Sequence, residues 1–268
     1  MLLIGEKING TRKAVQKAIL SRNTEAIIAL VKEQTEAGAD YLDVNAGTGP
    51  DRELEDILWL LDIVQSYAPD IPVCIDSSSA ATLKAALPHV GKTPMINSIN
   101  ADSARLEAFI PLVKEYAASV IALALDESKS GMPKNNEERM ENIDRILEAT
   151  RKAEIPDSDV YIDPLIMAVS TDNNAGSTVL ACIREIRQKY PETHITGGLS
   201  NISFGLPERA IVNRTFLTLA MAAGMDSAVC NPANRSFIEA MKATDMILGN
   251  DRFCRKYTTA AKKGFCKK

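Results

Sequence analysis

Histidine is scarce in this chain of 268 residues: only His89 and His194 are present, and each stands isolated. The five cysteines, Cys74, Cys182, Cys230, Cys254 and Cys266, form no CxxC pair. A tetrahedral zinc site of nitrogen and sulfur ligands is therefore not expected. An odd, scattered set of thiols fits a reducing cytosol better than a disulfide framework. Cys266 has two residues after it, so a prenylation box is not expected. No apolar run approaches the roughly 20 residues needed to span a bilayer, and no charged-then-apolar leader follows Met1. The expectation is a cytoplasmic protein without a membrane segment. Lys and Arg number 31 against 35 Asp and Glu, a net charge of −4, so a general nucleic-acid surface is not expected. Basic residues gather only in a terminal stretch of about 252–268, which reads as a solvated tail. The chain has no GxxxxGK(S/T), no GxGxxG after its first strand and no Ser-His-Asp or Cys-His arrangement.

What is present is a regular alternation. Short apolar runs recur at Leu2–Gly5, Tyr41–Asn45, Pro72–Asp76, Pro94–Asn97, Val120–Leu125, Val160–Pro164, Thr193–Thr196 and Ser227–Cys230. Between them lie helical patterns: Thr24–Ala37, one opening at Asp51, Ala80–Leu87, Arg105–Ala117, Glu137–Thr150, Ser177–Tyr190, Pro207–Met221 and Phe237–Leu248. Continuous apolar strands are expected where both sheet faces are buried. Eight even units at this length predict a (β/α)8 TIM barrel in a single domain spanning 1–268, with a doubly wound open sheet as the alternative. The long polar loop 127–136 after strand five serves equally as a mobile lid or as an exposed connection.

Nearly every strand ends in a carboxylate or carboxamide: Glu6 and Asn9, Asp43 and Asn45, Asp76, Asn97 and Asn100, Asp126, Asp163, Asn201, Asn231. In a barrel these positions converge at the C-terminal mouth, where active sites lie. Any one of them also suits a helix N-cap or a turn. The Gly197–Gly205 stretch, strand then Gly-rich turn then helix, presents two hydroxyls and the Asn201 carboxamide. Such a ring matches a neutral heterocycle with several N–H donors, because a carboxylate accepts parallel N–H bonds and a carboxamide both donates and accepts. Mg²⁺ held by oxygen ligands is a weaker match. Lys7 alone lends little support to a Schiff-base aldolase.

Seven segments in this order resemble the pterin-binding methyltransferases that move a methyl group between N5 of tetrahydrofolate and a corrinoid: Ile4–Gly10, Leu42–Asn45, Ile75–Ser77, Met95–Ser98, Tyr161–Leu165, Gly198–Ser203 and Asn213–Leu217. The resemblance implies that Asp76, Asn97 and Asp163 hold the pyrimidine edge of the pterin. It places Asn201 near N5 as the catalytic group, with Gly198, Ser200 and Arg209 beside the pterin and Glu6 and Asp43 at the mouth. It implies tetrahydrofolate or 5-methyltetrahydrofolate as substrate, no metal bound by the chain itself, and a homodimer. With no DxHxxG motif present, the corrinoid (cobalamin) is expected on a separate corrinoid-binding protein. The direction of transfer stays open. A dihydropteroate synthase-like enzyme, which needs cations for a pyrophosphate leaving group, and a non-catalytic pterin-binding accessory subunit are the alternatives.

Overall fold

Eight parallel strands lie side by side in chain order: β1 (Leu2–Asn9), β2 (Tyr41–Asn45), β3 (Val73–Asp76), β4 (Met95–Ile99), β5 (Ser119–Leu123), β6 (Val160–Asp163), β7 (His194–Ile195) and β8 (Ser227–Cys230). The computed structural model describes residues 1–129 and 132–265. Pairing runs unbroken from β7 down to β1 and on to β8. The remaining seam closes through Asp226 N to Ile195 O at 3.3 Å, Val229 N to Gly197 O at 3.1 Å, and a parallel bridge between Gly198 and Val229. The sheet has no free edge to template aggregation, and the barrel expectation holds over the open sheet.

Helices cover the outside: α1 (Lys13–Leu20), α2 (Thr24–Glu36), α3 (Pro50–Tyr67), α4 (Ala80–Ala86), α5 (Ser103–Glu115), α6 (Asn136–Lys152), α7 (Ala175–Lys189), α8 (Arg209–Ala223), α9 (Arg235–Ile247) and α10 (Arg255–Lys262). Helices α1 and α10 are additional to the eight helical patterns expected from the sequence. Val15, Ala18 and Ile19 of α1 are buried at i, i+3, i+4 spacing. α10 forms within the basic terminal stretch and buries none of its residues. Cys266, Lys267 and Lys268 lie outside the described residues, as do Ser130 and Gly131 of the loop expected as lid or connection. No helix among the described residues is long and apolar enough to cross a membrane.

Two cores result. The larger fills the layer between sheet and helices, with Ile27, Val31, Ile57, Leu61, Ile96, Val120 and Ile183 among its enclosed side chains. The smaller plugs the barrel itself: Ile4, Cys74, Met95, Ile121 and Tyr161. Each fully buried aliphatic side chain of this kind contributes about 2 kcal/mol. Side chains on a strand alternate faces, so the residue two positions beyond each plug residue also points inward, one level higher. Those residues are Glu6, Asp76, Asn97, Leu123 and Asp163. The apolar plug thus ends where a polar mouth begins.

On β1 the register shifts between Gly5 and Ile8. Gln34 of α2, fully buried, enters the bulge and accepts the Lys7 N–H at 2.9 Å. A Cβ on Gly5 would lie 2.6 Å from Gln34 Oε1, so only glycine admits this contact. Polar residues of α6 stitch the loops leaving β4, β5 and β6. Arg145 Nη2 donates to Ala101 O at 2.7 Å, Asn142 Nδ2 to Ala124 O at 3.2 Å and Arg139 Nε to Pro164 O at 3.0 Å.

Candidate active site

The first arc of the mouth is carried by β2, β3 and β4. Asp43 and Asn45 are two apart on β2 and share its inner face; Asp76 and Asn97 are register partners on β3 and β4. Two carboxamide–carboxylate pairs cross this arc. Asn97 Nδ2 donates to Asp43 Oδ1 at 3.2 Å, and Asn45 Nδ2 donates to Asp76 Oδ2 at 2.8 Å. Asp43 is 2% exposed. Burial first, and the neighbouring Asp76 charge second, push its carboxyl up to about 7, against the opposing Asn97 bond. Burial also raises Asp76, with the Asn45 bond opposing it. Among the described residues neither carboxylate has a cation in hydrogen-bond contact, so each keeps acceptor capacity for donors from a ligand.

The second arc is carried by β6, the β7 turn and α8. Asp163 accepts the Leu165 N–H at 2.8 Å, and burial of its carboxyl raises it to about 6. The following loop lies directly against it: a Cβ on Gly197 would be 3.2 Å from Asp163 Oδ1 and 2.8 Å from Ile166 Cδ1. Gly198 is as tightly placed, since its Cβ would come 3.1 Å from Asn201 Nδ2. The Asn201 amide therefore folds back over Gly198. A short 3-10 turn, Leu199–Ser203, carries Asn201 and is anchored by the buried Leu199 and Ile202. Asn201 itself is exposed. Arg209, at the start of α8, grips this turn from outside: Nε donates to Ser203 Oγ at 2.9 Å and Nη2 to Ser200 O at 2.7 Å. Glu6 closes the ring from β1. Its carboxyl is raised by burial, opposed by the charges of Arg12, Lys7 and Arg209. A cavity of about 80 Å³ lies behind the turn, lined by Glu6, Ser200, Asn213, Arg214, Cys230 and Asn231 among others.

The full ring expected from strand ends is smaller in the structure. Asp126 is turned aside: Arg145 Nη1 donates to it at 2.6 Å, and the Ser128 hydroxyl and N–H also bind it. Burial opposes ionisation there, but those bonds hold Asp126 below the usual carboxylate range. Asn9, Asn100 and Asn231 accept from the backbone N–H groups of Thr11, Asp102 and Ala233, the ordinary turn role of asparagine. Gln34 and Arg145 hold the segments around the mouth through contacts between elements remote in sequence, which residue type and spacing do not show. No cluster among the described residues has the make-up to hold a metal ion. The cation that a pyrophosphate-releasing enzyme would need after β8 is also engaged: Arg235 pairs with Glu239 at 2.8 Å on the exposed face of α9.

Carboxyls and amides gathered at a barrel mouth can accept and donate hydrogen bonds along the edge of a heterocycle. Residues 5–231 match the pterin binding enzyme family, and the chain belongs to that family. It is 42% identical over 264 residues to a methylcorrinoid:tetrahydrofolate methyltransferase of Eubacterium limosum, covering 98% of this chain and 97% of that one. It is 30% identical to a methionine synthase of Mycobacterium tuberculosis over 88% of this chain but 21% of that much longer protein. In fold it resembles a dihydropteroate synthase of Coxiella burnetii solved with pteroic acid, at a TM-score of 0.72, 16% identity and coverage of 93% and 94% of the two chains.

Proposed function

We propose that this protein transfers a methyl group from a methylated corrinoid, carried by a separate protein, to N5 of tetrahydrofolate. Full-length similarity to a methylcorrinoid:tetrahydrofolate methyltransferase supports the reaction and its direction. The observation that carries the reading at the level of residues is the pairing of two unlike arcs at one mouth. One is an acceptor-rich arc of Asp76, Asn97 and Asp163; the other is an exposed carboxamide, Asn201, on a clasped turn. The acceptors take the 2-amino and ring N–H groups of the pterin. Gly198 and Ser200 let the ring lie against the turn, and Asn201 faces N5. Arg209 sits beside the pterin through its grip on Ser200, and Glu6 and Asp43 complete the wall.

Chemically, the N5 lone pair forms the new C–N bond as the methyl–cobalt bond breaks. Both bonding electrons return to cobalt, leaving Co(I), and N5 sheds its proton. In the opposite direction N5 cannot depart as an amide anion and must be protonated or strongly hydrogen-bonded. A carboxamide at N5 stabilises the charge that develops there in either sense without itself titrating. The open mouth lets the partner's corrinoid approach in line.

The partner is a corrinoid-binding protein, and the setting is the cytoplasm. The assembly is a homodimer, supported by the outer face of α8: Ile211 and Leu219 are exposed there, and no charged residue occurs from Thr215 to Gly224. Sedimentation of wild type beside Leu219→Glu tests that interface; a monomer in both removes it.

The reaction is tested by mixing the protein with tetrahydrofolate and a methylated corrinoid protein and following the cobalt spectrum. Conversion of the methyl–cobalt band to Co(I), with 5-methyltetrahydrofolate formed in equal amount, is expected. Tight tetrahydrofolate binding with an unchanged cobalt spectrum, whatever corrinoid protein is offered, would make the protein an accessory pterin binder instead.

A further inference from the structure

The two crossed pairs on the first arc fix more than stability: they fix which atoms remain free. With Asn97 Nδ2 held by Asp43, the Asn97 carbonyl oxygen is the end left for a ligand. With Asn45 holding Asp76 Oδ2, Asp76 Oδ1 is left. With the Leu165 N–H on Asp163 Oδ1, Asp163 Oδ2 is left. The free atoms are three acceptors and no donor. The 2-amino and N3–H groups of a pterin donate in every oxidation state. N8 differs: it bears a hydrogen in a tetrahydropterin and only a lone pair in a fully oxidised one. A lone pair placed against an acceptor-only wall loses a bond and adds repulsion.

We propose that Asp43 is a positioning residue that, by holding the Asn97 amide nitrogen, keeps this wall acceptor-only and makes the slot selective for reduced over oxidised pterins. The proposal rests on the pterin reading above. Asp43 is enclosed by Asp76 and Cys74 on β3, Glu6 on β1 and Asn97 on β4; Glu53 of α3 and Arg105 of α5 act on Asp76. Among the described residues no cation touches Asp43; its side-chain partners are the Asn97 amide and the Cys74 thiol, and with its own ionisation these set the direction of that bond. Once Asp43 takes up a proton it becomes a donor. The Asn97 carboxamide is then free to turn its oxygen inward and show its NH2 to the slot.

The experiment is calorimetric titration of tetrahydrofolate and folic acid into the full-length protein, with thermal unfolding as a folding control. Wild type should favour tetrahydrofolate by about tenfold or more near pH 8. Asp43→Asn should cut that ratio at least about fivefold. In an Asn97→Ala background the same substitution should leave the ratio within about twofold, because the effect travels through Asn97. An unchanged ratio in Asp43→Asn, or an equal fall without Asn97, overturns the proposal. Should Asp43→Asn not fold, the wild-type ratio decides. It should drop from about pH 8 to about pH 6, and drop less in Asn97→Ala, where only Asp76 and Asp163 remain on the wall to take up protons; a flat wild-type ratio, or an equal drop in the two proteins, overturns it. Failure of wild type to bind tetrahydrofolate at all would instead overturn the pterin reading.

Discussion

The β2–β4 arc and the β7 turn divide the site between two kinds of construction. In the first, Asp43, Asn45, Asp76 and Asn97 stand on the three consecutive strands β2, β3 and β4, and each is locked by a partner from another of these strands. In the second, Asn201 stands exposed on a five-residue turn whose shape depends on two glycines, buried Leu199 and Ile202, and the Arg209 clasp. Strand-borne groups hold position to a fraction of an ångström, which suits reading the edge of a rigid heterocycle. A turn at the rim can approach a partner protein and shift as the methyl passes, which suits the reacting end. Recognition and chemistry are thereby separable, and four measurements bear on that separation.

The largest effect is expected from Asn201→Ala. Turnover should fall about 100-fold or more, with tetrahydrofolate affinity changed less than about threefold. Equal losses in single-turnover rate and calorimetric affinity would erase the division, making Asn201 a binding group only.

Asp163→Asn should do the converse. A buried acceptor becomes partly a donor, so affinity should weaken about 30-fold while the rate at saturating pterin stays near wild type. Unchanged affinity by calorimetry would take Asp163 out of the pterin contact.

Arg209→Met sharpens the comparison, because Arg209 belongs to the turn by contact. Loss of both bonds to Ser200 and Ser203 should lower turnover about tenfold with little change in affinity, and Arg209→Lys, lacking the planar fork, should not restore it. A predominant loss of affinity would show that Arg209 touches the ligand directly.

The smallest effect is on stability. Asp43, Asp76 and Asp163 all have raised carboxyls in the fold, Asp43 about 7 and Asp163 about 6. The folded protein therefore retains protons that the unfolded chain releases above about pH 4. Their favourable contribution is complete below that pH and is lost as pH rises through about 6 and then about 7. Asp163→Asn should lose less thermal stability than wild type between pH 5 and pH 8, by about 3 °C in unfolding midpoint. Parallel slopes for the two proteins would mean that the Asp163 carboxyl is not held protonated.

The barrel was legible because eight apolar runs alternate evenly with helical patterns, and strand periodicity alone sets Glu6, Asp76, Asn97 and Asp163 one step above an apolar plug. Helix α1 is equally open to reading, since Val15, Ala18 and Ile19 form its stripe, but it stands outside the eightfold alternation that organises the rest of the chain. Asp126 shows the other side. By type and place it belongs to the ring, yet Arg145, nineteen residues away on α6, removes it.

From the chain alone, then, came the eightfold alternation, the family, and which side chains could reach a common mouth, because periodicity and residue type are local properties. The tertiary structure alone settled which of them remain free to meet a ligand. Gln34 in the β1 bulge, Asp43 under Asn97 and Arg145 on Asp126 are pairings between distant segments, and Arg209 reaches back from the next helix across the Asn201 turn. A hydrogen bond depends on distance and direction in space, and those exist only once the barrel has closed.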